Sequence, residues 1–216
     1  MHEPGTSFQD ARAVVVLDFE TTGLCAGPDR TIEAGAVRLV GGRVDAVFSE
    51  LMNPGFPVSS FITLFTGITN DMLAQAAPCE EVMHRLADFL GDLPLVAHNA
   101  GFDKKFLQAE LARIGRPHKP EFACSMLVAR RVYPDCPNHR LQTLVATRGI
   151  PHDGTFHRAA ADALMTAHLW SFMLDDLKRQ WDLDPISFSF MQRLMKVSKN
   201  RVQAFLEQAR AEVFSR

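Results

Sequence analysis

The sequence predicts an α/β fold built on a sheet of mixed strand direction, with helices packed against it. Three observations predict it. Strand-like segments come first, joined by short connections. From about Ala77 the apolar spacing changes to a helical period. Short apolar strands then alternate with those helices, the order expected of an α/β sheet. The 216 residues suit one domain with short appendages, and 47% apolar against 22% charged residues is an ordinary globular balance.

Each element has its own local signal. Ala13 to Leu17 is a β-branched apolar run that reads as a buried strand. Thr31 to Val40 alternates loosely and Gly41-Gly42 supplies a tight turn. Arg43 to Met52 alternates again, with Val44, Ala46 and Phe48 on one face, so the three segments form an antiparallel meander. Asn53-Pro54-Gly55 and Pro57 then break the pattern into a loop. Val82, Leu86, Phe89 and Leu90 repeat at helical spacing, Leu93 to Ala97 is a short strand, and Phe102 to Ile114 is again helical. A strand near Phe122 to Cys124 precedes helices over Met126 to Val132 and from Arg140 to Thr147. Ala159 to Leu177 is apolar on most sides and predicts a buried helix. The phenylalanines from Phe61 to Phe106 read mostly as core.

The chain divides into an N-terminal extension over 1–12, a domain over 13–182 and a C-terminal helical extension over 183–216. In the last of these, Met191, Leu194, Met195, Val202, Phe205 and Leu206 keep helical spacing, and Ser198 is a candidate cap. Arg193, Lys196, Lys199 and Arg201 among them read either as the solvated side of helices packed on the domain or as a basic patch beside a nucleic-acid groove.

A net charge of −2 argues against a protein that coats nucleic acid through a broad basic face, and is compatible with one that grips a few phosphates. No run of about eighteen apolar residues exists, so no membrane partner is expected. The start shows no basic segment followed by an apolar one, so no secretory signal is expected. Cys25, Cys79, Cys124 and Cys136 form no C-x-x-C pair, which predicts free thiols in a reducing cytoplasm.

The informative feature is acid in dry surroundings. Asp18 and Glu20 end the first apolar run, and positions i and i+2 of a strand share a face. Two carboxylates side by side raise one pKa unless a cation neutralises them. Asp103 follows the strand-to-helix passage Leu95 to Phe102, where the helix dipole alone would also favour an acid. Asp162 lies among alanines near the start of the most apolar helix, where an unpaired carboxylate costs several kcal/mol and so needs a partner, a cation or a proton. An all-carboxylate set suits Mg²⁺ or Mn²⁺ better than zinc, and two such ions about 3.5–4 Å apart would clamp a phosphoryl group for hydrolysis. His157, five residues before Asp162, is the candidate general base, since an imidazole suits proton transfer near neutral pH. Five residues is about 140° around a helix, which places His157 on the loop ahead of it.

These residues carry a resemblance. Val15 to Leu24, Leu95 to Asp103 and His157 to Ala163 resemble, in order, the three motifs of the DEDDh 3′→5′ exonucleases, the family that includes the proofreading (epsilon) subunit of bacterial replicative DNA polymerase. Thr66-Gly67-Ile68-Thr69 resembles a linking segment of the same family, with Thr66 where proofreader-like members often carry His. The resemblance implies an RNase H-like fold, a mixed five-stranded sheet with helices on both faces. It implies two Mg²⁺ or Mn²⁺ ions held by Asp18, Glu20, Asp103 and Asp162, with His157 as base. It implies that Thr21, Gly23, Leu24 and Phe102 meet the 3′-terminal nucleotide. The implied partners are a single-stranded or frayed nucleic-acid 3′ end and a DNA polymerase subunit. DNA is the expected substrate; RNA 3′-end trimming and a non-catalytic binding module are the alternatives.

Overall fold

Val14 and Val16 face one side of the first strand while Val15, Leu17 and Phe19 face the other, and all are buried. A strand with two apolar faces belongs at the centre of a sheet. The computed structural model describes residues 8–117, 119–152, 154 and 156–214. It places β1 (Val14–Thr21) third of five strands, in the order β3-β2-β1-β4-β5. Strands β2 (Thr31–Val40) and β3 (Arg43–Leu51) join β1 as the antiparallel meander. Strands β4 (Leu95–Ala97) and β5 (Phe122–Cys124) add in parallel on the other side.

Helices α1 (Ser60–Thr66) and α2 (Asn70–Gln75) follow β3. They are too short to show a helical period, and only their caps signal them. Ser59 accepts from the Ile62 N–H and Thr69 from the Met72 N–H. Helices α3 (Cys79–Leu90) and α4 (Gly101–Arg113) cover one face of the sheet through Val82, Met83, Leu86, Phe106 and Leu107. Helices α5 (Ser125–Val132), α6 (Leu141–Arg148) and α7 (Ala159–Trp181) cover the other.

The chain ends with α8 (Phe188–Leu194) and α9 (Val202–Phe214). Phe188, Met191, Leu194 and Leu206 enter the same core as α7. The Ala11 N–H donates to the Ile186 carbonyl and the Phe188 N–H to that of Gln9, so the two extensions pair with each other, and the Trp170 indole N–H of α7 donates to the Ala11 carbonyl. Residues 1–7 and 215–216 of those extensions lie outside the described residues. Among the described residues no helix is long and apolar enough to cross a membrane. The four cysteines are free thiols.

Three expectations need correction. Phe61 and Phe65 are 69% and 51% exposed rather than core, because α1 buries only Ile62 and Thr66. Val44 does not share a face with Ala46 and Phe48, because the β2–β3 register shifts between Arg38 and Leu39, so that Ala46 pairs with Arg38 but Val44 with Leu39. Ser198 precedes a 3₁₀ turn without capping it; its hydroxyl donates to Asn200 instead.

Candidate active site

Strand β1 outruns its parallel neighbour. β4 pairs only with Val15 and Val16, so the end of β1 projects past the sheet partner on that side. The Phe19 N–H left unpaired there donates to Oδ1 of Asp103, 3.2 Å away. Asp103 is the third residue of α4 and is buried. It is aimed at β1 by a sharp strand-to-helix turn in which Asn99 takes φ +69°. The second motif is thereby fastened to the first by a hydrogen bond.

On the α7 side of β1, Asp18 lies opposite Gly35 and Glu20 opposite Glu33. A register shift follows Glu20, since Thr21 pairs with Thr31, and such bulges re-aim side chains at the ends of strands. Asp162 stands in the first turn of α7, with His157 on the loop before it. The His157 N–H donates to Oδ2 of Asp162 at 3.1 Å, and His157 holds the left-handed φ of +60°. One ligand atom each from Glu20, His157 and Asp162 lies within 4.8 Å of the others. The other carboxylate oxygen of Asp162, Oδ1, is buried with no hydrogen-bond partner. A buried carboxylate oxygen left bare calls for a cation or a proton.

The electrostatics agree. Burial holds the Asp18 carboxyl well above the usual carboxylate range, and the charges of Asp103, Asp162, Glu20 and Glu33 add to the shift. Burial likewise pushes Glu20 up to about 8, with Asp162, Glu33 and Asp103 adding and Arg158 opposing. Asp103 rises to about 7 by burial, against its hydrogen bonds from backbone N–H groups. Asp162 is raised by burial and held back by the His157 N–H. All four acids thus carry unfavourable charge in each other's presence, which a divalent cation would relieve. The oxygen-rich donor set fits a hard ion such as Mg²⁺ or Mn²⁺.

The residues expected to meet substrate follow Glu20 or precede Asp103 in the chain, with structural duties visible in three of them. Thr21 donates its hydroxyl to the Gly23 carbonyl at 2.6 Å. A Cβ at Gly23 would fall 2.5 Å from Asp29, whose carboxylate accepts from the Cys25 N–H and the Thr22 hydroxyl. Phe102 is partly buried and its ring lies 4.8 Å from that of Phe106. Leu24 stands off the turn, 85% exposed.

Several neighbours escaped the sequence reading. Asp29 organises the turn, and Glu33 and Gly35 face α7 from β2. Phe65 places its ring centroid 4.2 Å from that of His157. Of these only Gly35, a glycine inside a strand, carried a usable signal, since such a glycine marks a close backbone approach. His98 bonds to Ser125 and to the His139 carbonyl, tying the end of β4 to the start of α5 and to the loop before α6 rather than serving the carboxylates.

Carboxylates converging at the end of a central strand, beside a loop-borne histidine, define a hydrolase site of the nuclease kind. The chain belongs to the exonuclease (RNase_T) family, whose pattern residues 15–170 match. It is 39% identical over 165 residues to the PolC-type DNA polymerase III of Bacillus subtilis, covering 75% of this chain and 11% of that protein. The PolC-type enzyme of Caldanaerobacter subterraneus is 36% identical over 167 residues, covering 76% and 12%. The chain therefore spans only about an eighth of the length of these relatives. Exonuclease X, solved with 5′-overhanging duplex DNA, superposes with a TM-score of 0.66 at 26% identity, covering 84% of this chain and 99% of that one. Escherichia coli Exonuclease I, solved with a dT13 oligonucleotide, shares the fold with a TM-score of 0.68 at 18% identity, over 79% of this chain and 42% of that one. The fold is thus the RNase H-like one that the motifs implied.

Proposed function

We propose that this chain is a 3′→5′ exonuclease of the DEDDh type that hydrolyses phosphodiester bonds at DNA 3′ ends and releases nucleoside 5′-monophosphates. The observation that carries this reading is the bare, buried Oδ1 of Asp162 within a cluster that also holds Glu20 and His157. Asp18, Glu20, Asp103 and Asp162 would hold two Mg²⁺ or Mn²⁺ ions. When bound, such ions polarise the attacked phosphate, ease deprotonation of the attacking water and stabilise the leaving 3′ oxygen.

The protein's own residues do the rest. His157 accepts the proton of the attacking water on its imidazole, from a loop anchored by its backbone bond to Asp162. Thr21 and Gly23 shape the turn that meets the terminal nucleotide. Exposed Leu24 and partly buried Phe102 flank its base and sugar. Residues 13–182 are the exonuclease domain in this reading. The polymerase relatives support a replication or repair setting, with a frayed or single-stranded DNA end as substrate and a polymerase subunit as partner. The free cysteines fit the reducing cytoplasm.

Single strands of DNA and RNA with one sequence, labelled at either end, test the proposal with Mg²⁺, Mn²⁺ or EDTA. Stepwise loss from the 3′ end of DNA, abolished by EDTA, is the expected result. Cleavage of RNA alone would move the substrate to RNA. Metal binding without cleavage of either would leave a binding module.

A further inference from the structure

Glu33 is a fifth carboxylate at the site and the most deeply buried group of the cluster that lacks a place in the proposed chemistry. It is 1% exposed and lies directly opposite Glu20 across the β1–β2 ladder. Like charges directly opposite each other destabilise a sheet, so its position needs a reason.

Its partners supply one. Arg158 grips the Glu33 carboxylate in a fork, Nε at 3.0 and 3.1 Å and Nη2 at 2.6 Å. The Ala159 N–H, the first of α7, donates to it at 2.9 Å. Both donors follow His157 immediately in the chain. Two residues along β2, Gly35 presents bare backbone to the Ala159–Ala160 peptide, closer than any side chain would allow. Glu33 and Gly35 together form a seat for the head of α7. One supplies a charged acceptor at the positive end of the helix, the other space. From this seat the chain turns back through His157, whose N–H closes on Asp162. The segment from 157 to 162 is therefore held from β2 by Glu33 and closed on itself by the bond from His157 to Asp162.

We propose that Glu33, acting through Arg158 and the Ala159 N–H, is a positioning residue that sets His157 and Asp162 against Glu20. The catalytic part of this rests on the exonuclease reading; the positioning part does not.

The test compares Glu33→Gln, Arg158→Met and the double variant with the parent chain. Glu33→Gln keeps an acceptor for the Ala159 N–H and loses the ion pair. Three readouts are taken: amide hydrogen exchange at His157 and Ala159 in metal-free protein, Mn²⁺ affinity, and kcat and KM on a DNA oligonucleotide. For Glu33→Gln we expect faster exchange at both amides and Mn²⁺ binding weakened roughly 10–100-fold. We expect kcat lowered roughly 10–100-fold with KM little changed. The double variant, which lacks the same seat, should match Glu33→Gln in exchange, Mn²⁺ affinity and kcat. Arg158→Met alone leaves a buried carboxylate unpaired and serves as the stability control, read by its thermal midpoint. Unchanged exchange and Mn²⁺ affinity within twofold in Glu33→Gln would overturn the proposal. So would losses that track the thermal midpoint alone across all three variants. A parent chain that cleaves nothing, with the exchange differences present, would remove the exonuclease reading and leave the positioning role standing.

Discussion

Gly35 in β2 touches the backbone of Ala159 at the head of α7, so that a Cβ at position 35 would fall 2.1 Å from the Ala159 carbonyl carbon. Backbone atoms cannot swing aside as a flexible side chain can. Gly35→Ala must push α7 away from the sheet, and Asp162 travels with it. We expect a stability loss of about 1–3 kcal/mol, the usual range for overpacking, measured by urea denaturation. Activity at a temperature where the variant is fully folded should fall further than that loss explains.

The carboxylate cluster makes metal-free stability depend on pH. Glu20 and Asp103 titrate near 8 and 7 in the folded chain, against ordinary carboxylate values when unfolded, and Asp18 is raised as well. Between those limits the folded state holds more protons, so its stability falls as pH rises. The thermal midpoint in EDTA should therefore drop steadily from pH 5 to pH 8. Mn²⁺ at pH 8 should restore it, because a ligand of the folded state alone stabilises that state. A flat profile in EDTA would contradict the proposed origin of these shifts.

Asp18→Ala removes one of the mutually repelling charges. Turnover should fall roughly 10³-fold or more, as for loss of an essential group. The metal-free thermal midpoint at pH 8 should rise rather than fall. Scanning calorimetry in EDTA beside a cleavage assay separates the two effects.

His157→Ala should lower kcat roughly 10²–10⁴-fold, the usual contribution of a positioned acid or base. Stabilisation by Mn²⁺ should persist, since the four acids remain. Phe65→Ala removes the ring that rests on His157 and should lower kcat by a smaller factor. Phe65 is half exposed, so little stability should go with it.

Leu24 and Phe102 separate binding from folding. Leu24 is 85% exposed, so Leu24→Ala should raise KM for a DNA oligonucleotide and leave the thermal midpoint in place. Phe102 packs on Phe106. Phe102→Ala should therefore raise KM and lower the midpoint together.

How far the sequence reached depended on the length scale of each signal. The β-branched run of β1, the Gly41-Gly42 turn and the long apolar α7 are local and were legible. So were the acids, because a charged residue in a dry stretch stands out wherever the chain later folds. Helices α1 and α2 were not legible, being too short to show a period. The exposure of Phe61 and Phe65 was hidden for the same reason: an aromatic residue reads as core until its helix is known to bury the opposite face.

By itself the sequence determined the fold class, the order of the strands and of the longer helices, and the acids and histidine of the candidate site. Tertiary structure alone decided how they meet. Asp103 reaches β1 because β4 is three residues long and leaves the Phe19 N–H free to bind it. Asp162 reaches Glu20 because Glu33 and Gly35, 126 and 124 positions before Ala159, seat the helix that carries it. No local pattern encodes such contacts. A carboxylate records its cost of burial in its own neighbourhood, whereas the partner that offsets the cost is fixed only when distant strands and helices pack together.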